Sequence, residues 1–343
     1  MGVYLTPIVV KKITQLEALR GKTLAVDGNN ELHQFVALIR KPDGTPLTDR
    51  NGNVTSHLAG LMFRSTKLIH DYDLRLTFVF DGKPPQMKEA EVTRRRELKE
   101  KAVKEWQKAL AAKDYAKAFS KAVTTGKLTQ SMIDDAKRLL SLLGIPFVQA
   151  PSEGEAQAAY IASKKDVWAS ASRDYDSLLF GTPRLLRFLT ISGTEFLPSK
   201  GVSRQIKPEL IELEEMLTKL RISRDQLVDL GILIGTDFNA GVKGIGPKKA
   251  LQLLSKYGSL ENLPQEIKSK LPQNYEEIRE FFLNPSVTVD YSTNYGYLQE
   301  EKLYSFLVEE RDFSVERVSK VVERMTGVYE KYKQADLARW LSS

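Results

Sequence analysis

Seven carboxylates stand at positions where a folded chain normally keeps like charges apart: Asp27, Asp81, Glu153, Glu155, Asp174, Asp176 and Asp237. Asp27 and Asp81 follow short apolar runs of strand character, Thr23-Leu24-Ala25-Val26 and Leu76-Thr77-Phe78-Val79-Phe80. Asp174 and Asp176 come shortly after Val167-Trp168-Ala169, Glu153 and Glu155 open a helix, and Asp237 ends one. In an open parallel sheet the carboxyl ends of the strands converge on one crevice. Acids gathered there repel one another, and bound divalent cations relieve that repulsion. Oxygen-only ligands suit Mg²⁺ or Mn²⁺ and do not suit zinc. Two such ions roughly 4 Å apart activate a water and stabilise the leaving oxygen of a phosphodiester. Taken singly, each acid has a bland role: Asp27 as a helix cap, Ser152 and Glu155 as a capping box, Asp174 and Asp176 as an acidic turn, Asp237 as the start of a loop. Taken together, they point to metal-dependent phosphoester chemistry.

These acids need elements to position them. Residues 20–85 alternate short apolar strands with helix-like segments, Asn29 to Ile39 and His57 to Ile69, which is an α/β pattern. The stretch from Pro42 to Asn53 is polar and turn-rich and reads as a surface loop or hairpin. Residues 88–121 change character, with eleven Lys/Arg, six Asp/Glu and no Gly or Pro, and predict long, charged helix. Thr129 to Leu143 predicts an amphipathic helix ended by Gly144. The α/β pattern then resumes with a strand at Ile145–Val148, a helix capped by Ser152, and strands and turns over 185–215. Ser223 caps a helix through Ile234, with Gln226 in the capping-box position.

Next comes Gly241-Val242-Lys243-Gly244-Ile245-Gly246-Pro247-Lys248-Lys249, a glycine-rich turn between two helices whose second member opens on two lysines. Amides at that helix start hold a phosphate, the lysines add charge, and nothing there requires a particular base. Lys83, Lys88, Arg94, Arg95 and Arg96 leave directly from Asp81-Gly82, near enough to the acids to hold a phosphate among them. At the C-terminus, Leu337, Trp340 and Leu341 fall on one helix face after Gln334, which suits either core packing or a docking peptide.

Composition narrows the classes. With 343 residues and 42% apolar content, the chain builds a substantial core. The charge is only +7, from 51 Lys+Arg against 44 Asp+Glu, so the distribution of charge matters more than its sum. There is no cysteine, which excludes disulfides and thiolate zinc sites and fits a reducing interior. Only His33, His57 and His70 are available for an imidazole site. No apolar run reaches membrane length, and the Met1-Gly2-Val3-Tyr4 start lacks a signal-peptide layout. The expected setting is the reducing interior of a cell.

The ordered motifs closely resemble the archaeal and eukaryotic flap endonucleases, the structure-specific 5′ nucleases of replication and repair. The resemblance is carried by Met1-Gly2-Val3, Val26-Asp27-Gly28, Val79-Phe80-Asp81-Gly82-Lys83-Pro84-Pro85, Pro151-Ser152-Glu153-Gly154-Glu155-Ala156, Asp174-Tyr175-Asp176-Ser177, and Gly235-Thr236-Asp237 running into the glycine-rich turn. It implies a mixed, mainly parallel α/β sheet flanked by helices, of the PIN-like 5′ nuclease kind. It implies one nuclease domain over 1–330, with a helical arch at 84–130 and a helix-two-turn-helix element at 223–258, and a sliding-clamp-binding tail at 331–343.

The implied activity is 5′ flap cleavage with 5′–3′ exonuclease action, in Okazaki fragment maturation and base excision repair. Two Mg²⁺ ions, replaceable by Mn²⁺, would be held by Asp27, Asp81, Glu153 and Glu155 on one side and by Asp174, Asp176 and Asp237 on the other, with Glu155 bridging. Lys88 and Arg95 match the residues that contact the scissile phosphate. His33, Thr55, Lys83, Arg94, Lys243, Gly244, Gly246, Lys248 and Lys249 match DNA contacts. Thr55 falls in a pocket for a one-nucleotide 3′ flap, and K⁺ is implied at the glycine-rich turn. Gln334, Leu337, Trp340 and Leu341 match the peptide that docks on the sliding clamp (PCNA). The implied partners are branched DNA and the clamp, with the chain itself a monomer.

Three departures stand out. His33 replaces a stacking Tyr, Arg173 precedes Asp174 where relatives often carry Gln or Glu, and the clamp peptide ends Trp-Leu in place of two aromatics. Two other readings compete: a non-catalytic junction-binding protein, and a related 5′ nuclease preferring bubbles or four-way junctions.

Overall fold

The computed structural model describes residues 2–190, 193–197 and 202–342, with side chains left out at 89–92, 94–96, 99, 116, 124, 193–197, 202–205 and 335–342. Nine strands are described: β1 (Lys12–Ile13), β2 (Thr23–Asp27), β3 (Arg75–Phe80), β4 (Phe147–Gln149), β5 (Ala169–Ala171), β6 (Arg184–Arg187), β7 (Gly193–Leu197), β8 (Val202–Ile206) and β9 (Glu209–Glu212). Seven of them form one sheet in the order β1-β9-β6-β5-β2-β3-β4, while β7 and β8 form a separate hairpin. The pairs β2–β3, β2–β5, β3–β4 and β5–β6 are parallel, and β9 runs antiparallel to both β6 and β1. The sheet is therefore mixed and mainly parallel.

Strand alternation explains the two faces. Leu24, Val26, Leu76, Phe78 and Phe80 belong to one large core, which also takes Phe35, Leu61, Leu140, Leu143, Val321 and Met325 from helices. Ala25 and Val79 point the other way and meet Ala158, Ile161 and Ala162 of the Gly154–Ser163 helix. Small residues on both sides let that helix lie close to the sheet. A third core, around Leu179, Leu227, Leu230, Leu254 and Phe282, unites the Arg224–Ile234, Pro247–Tyr257 and Tyr275–Leu283 helices.

Local signals behave as expected in several places. The Gln130–Leu143 helix is capped by Thr129 and ends at Gly144. Ser223 and Gln226 form the full capping box. The polar stretch near residue 50 contains the bridges Arg40↔Pro46 and Thr48↔Val54, although Gly44 and Asp49 within it are buried.

Two expectations are corrected. The basic segment is not one long helix but two, Glu89–Ala111 and Tyr115–Thr125, packed against each other. The break occurs without Gly or Pro: Lys113 adopts φ +57°, and the Asp114 carboxylate caps the second helix by accepting from the Lys117 amide. The Ser152–Glu155 capping box does not form either. Glu153 occupies the N-cap with no side-chain cap, and Glu155 turns inward.

Among the described residues, no helix is long and apolar enough to cross a membrane.

Candidate active site

The parallel strands deliver the acids. Asp27 is the last residue of β2, Asp81 follows β3, and Asp174 lies three residues past β5. β4 leads into the Gly154–Ser163 helix, which brings Glu153 and Glu155. Asp176 opens the Asp176–Leu179 helix, and Asp237 follows the Arg224–Ile234 helix. Because β4, β3, β2 and β5 are adjacent and parallel, their acids share one edge of the sheet.

Each acid is held by specific partners. Asp27 is 5% exposed and also caps the Gly28–Leu38 helix, accepting from the Asn30 amide at 3.0 Å. The helix-capping role expected of Asp27 is thus met. Ser172 Oγ donates to the other Asp27 oxygen at 3.4 Å. Asn30 Nδ2 donates to Asp174 Oδ2 at 2.9 Å, and Ser177 Oγ to Glu155 Oε1 at 2.9 Å. The Val3 amide donates to Asp176 Oδ1 at 2.6 Å, so the N-terminal segment forms one wall of the site. The Gly154 amide donates to Asp81 Oδ1 at 2.7 Å. A Cβ at Gly154 would lie 2.9 Å from that same oxygen, so the residue between Glu153 and Glu155 has to be glycine for Asp81 to approach.

The electrostatics reflect crowding. Burial and neighbouring carboxylates push Asp27 and Glu155 well above the usual carboxylate range. Burial, then Asp237 and Asp174, raise Asp176 to about 7. Glu153 is raised by burial against the pull of Lys88, and Asp81, although open to solvent at its edge, is raised by the protein packed around it. Lys88 supplies the counter-charge: its Nζ lies 2.7 Å from Glu153 Oε2 and 3.7 Å from Asp237 Oδ2, and these carboxylates hold its ammonium protonated.

This donor set fits divalent cations. It is all oxygen and carries a surplus of negative charge with one described lysine against it. Among the described residues no three His, Cys, Asp or Glu side chains close into a ready-made cage. Mg²⁺ rarely asks for one, since it keeps several waters and binds through one or two carboxylates.

The other expected residues are spread along a wider surface. Lys83 is exposed beside Asp81, and His33 is exposed on the Gly28–Leu38 helix. Lys243, Gly244, Gly246, Lys248 and Lys249 are all exposed. Gly244 takes φ +82°, a conformation that favours glycine. Nothing lies within 4 Å of a Cβ built on Gly244 or Gly246, so the turn presents open backbone at the start of the Pro247–Tyr257 helix. Thr55, expected at a DNA pocket, is 5% exposed and buried, and His57 beside it is fully buried. Gln334 is exposed on the Val315–Ser342 helix. The side chains of Arg94, Arg95, Leu337, Trp340 and Leu341 lie outside the described residues.

Sequence reasoning missed Asn30, Ser172, Ser177 and Glu31. The first three are polar residues within three or four positions of an acid, which was the available signal. Glu31 is 3% exposed, accepts from the Thr190 hydroxyl, and is raised by burial to about 7. Nothing in its sequence surroundings marks it.

Comparison with known proteins adds kinship. The XPG N-terminal domain family matches residues 1–102 and the XPG I-region family residues 144–237. The chain is 49% identical over 351 residues to flap endonuclease 1 of Staphylothermus marinus, covering 100% of both chains. It is 48% identical over 341 residues to flap endonuclease 1 of Pyrococcus abyssi, covering 99% of this chain and 98% of that one. The solved flap endonuclease-1 from Methanococcus jannaschii superposes with a TM-score of 0.76 at 42% identity, covering 96% of this chain and all of the other. The catalytic core of Rad2 in complex with DNA substrate shares the fold, with a TM-score of 0.69 at 21% identity over 94% of this chain and 100% of that one.

Proposed function

Starting from the fact that the chain belongs to the flap endonuclease family of XPG-type nucleases, we propose that its seven-acid edge is a two-cation centre that hydrolyses the phosphodiester at a 5′ flap junction. The observation that carries this reading is the shared edge itself. Four adjacent parallel strands and two helix ends bring seven carboxylates to one edge, and burial with repulsion raises the proton affinity of Asp27, Glu155 and Asp176 among them. Such a cluster is unfavourable without bound positive charge.

Asp27, Asp81, Glu153 and Glu155 would hold one cation; Asp174, Asp176 and Asp237, with Glu155 shared, would hold the other. When bound, Mg²⁺ supplies an activated water and neutralises charge at the leaving oxygen.

The chain's own residues do the rest. Asn30, Ser172 and Ser177 orient three of the carboxylates. Lys88 stands at the start of the two-helix segment, where its ammonium reaches an incoming phosphate and stabilises charge that builds during cleavage. Arg95, about two helical turns further along, is assigned to the same phosphate by its place in the family motif. The two-helix segment would take the single-stranded flap through to its free 5′ end. The turn from Gly241 to Lys249 would grip the downstream duplex backbone through exposed amides and lysines, and K⁺ at that turn rests on the resemblance alone. Docking of Gln334, Leu337, Trp340 and Leu341 on a sliding clamp is likewise inferred from the motif. An enzyme of this kind works where chromosomal DNA is, in the cell interior.

The test is cleavage of an end-labelled double-flap DNA with Mg²⁺ or EDTA, mapped to the nucleotide. A single Mg²⁺-dependent cut at the junction is expected. Tight binding with no cut would replace this reading with that of a non-catalytic scaffold.

A further inference from the structure

Lys88 touches more than carboxylates. Its Nζ lies 5.9 Å from the centroid of the Phe238 ring, within the range of a cation–π attraction. Two carboxylates alone leave an ammonium on a four-carbon stem free to pivot between them. A ring face adds a third attractive surface and restricts that freedom.

Phe238 is itself well fixed. Its amide donates to Thr236 Oγ1 at 3.1 Å, and Asn239 Nδ2 ties the same turn to the Ile232 carbonyl at 2.7 Å. Its ring packs edge-on against Phe281 (4.8 Å) and Phe282 (5.4 Å), and Phe282 in turn packs on Phe180 (4.9 Å). Phe238 directly follows Asp237, and Phe180 closes the helix that Asp176 opens. Two of the site's acids and its lysine therefore share one aromatic floor, supported from below by the Tyr275–Leu283 helix. A leucine could fill the same volume, but only an aromatic face attracts a cation.

We propose that Phe238 is a positioning residue for Lys88, holding the ammonium between Glu153 and Asp237 at the point from which it meets the scissile phosphate. The inference rests on the proposed role of Lys88 and extends it to a residue that acts through that lysine.

The experiment is a double-mutant cycle in single-turnover and steady-state cleavage of double-flap DNA with Mg²⁺. The proteins are the unmodified chain, Phe238→Leu, Phe238→Tyr, Lys88→Ala, and Phe238→Leu combined with Lys88→Ala. Phe238→Leu is expected to lower kcat about three- to thirtyfold, the span of a partly desolvated cation–π contact, with KM within about twofold. Phe238→Tyr keeps the ring face and is expected to restore the rate. In the Lys88→Ala background, Phe238→Leu is expected to cost less than about twofold, because the partner through which it acts is gone. Any general packing loss appears equally in both backgrounds and cancels in the cycle. An equal loss in both backgrounds, or a Tyr variant as slow as the Leu variant, overturns the proposal. Full activity of Lys88→Ala would overturn the lysine's role and this inference with it. Absence of cutting by the unmodified chain would instead overturn the functional reading.

Discussion

Replacing Asp176 by Asn should stabilise the cation-free protein while destroying its chemistry. Asp176 is 6% exposed, and burial with repulsion from Asp237 and Asp174 lifts its carboxyl from the usual 3.8 to about 7. A carboxyl raised that far costs roughly 4 kcal/mol of folding free energy once ionised, at about 1.4 kcal/mol for each tenfold change in proton affinity. Glu155, itself raised in part by Asp176, keeps a proton that relieves this repulsion, so the native protein loses about 2 kcal/mol of that figure. The sign follows from linkage. A folded-state value above the unfolded one gives stability that is complete below about pH 4 and is lost as pH rises through 7. The amide cannot ionise, so the variant avoids that loss. Its Oδ1 still accepts the Val3 amide, which in the native protein donates to Asp176 at 2.6 Å. Chemical denaturation in EDTA should therefore show Asp176→Asn more stable than the native protein by about 2 kcal/mol at pH 8 and equal to it near pH 4. Adding Mg²⁺ should reverse the order, because a cation bound only by the folded native chain stabilises it. A variant less stable than the native protein at pH 8 in EDTA, or a gain of the same size at every pH, would refute the reasoning.

Four further outcomes follow from the same geometry. Cleavage should fall steeply below about pH 7, because the raised carboxyls of Asp27, Glu155 and Asp176 must lose protons to bind a cation; tenfold more Mg²⁺ at pH 6 should recover rate in a pH–rate series. Gly154→Ala should cut kcat by about a hundredfold with DNA binding nearly unchanged, since its Cβ would press on Asp81 Oδ1 at 2.9 Å; kinetics beside a gel-shift assay checks this. Replacing both Lys248 and Lys249 by Ala should weaken duplex binding for all sequences alike and make the slope of log K against log salt shallower by about 2, measured by titration at several salt concentrations. Removing residues 334–343 should abolish capture by an immobilised sliding clamp and leave oligonucleotide cleavage unchanged.

Much of this arrangement was legible because strand ends announce themselves. A run such as Leu76 to Phe80 followed by Asp81 states both where a strand stops and what it delivers, and the parallel order then brings the deliveries together. The glycine-rich turn was legible for a similar local reason: Gly244 is needed for its positive φ, and Pro247 suits a first helical turn. Features set by distant partners were not legible. Ser152 and Glu155 carry the letters of a capping box, but Ser177, distant in sequence, claims the glutamate. The break at Lys113–Asp114 has no glycine or proline to mark it, since an aspartate cap suffices. Glu31 looks like an ordinary first-turn acid of a helix, and only the fold places Thr190 against it and seals it from water. Phe238 reads as one more core aromatic until Lys88 is found above it.

The central claim is that the seven acids together hold two catalytic cations. Crystals of the protein grown with Mn²⁺ and without DNA, examined by anomalous diffraction, test it most directly. The account predicts two peaks about 4 Å apart, one beside Asp27, Asp81 and Glu153, the other beside Asp174, Asp176 and Asp237, with Glu155 near both. No peak at that edge of the sheet, or ions found only elsewhere on the surface, would contradict it.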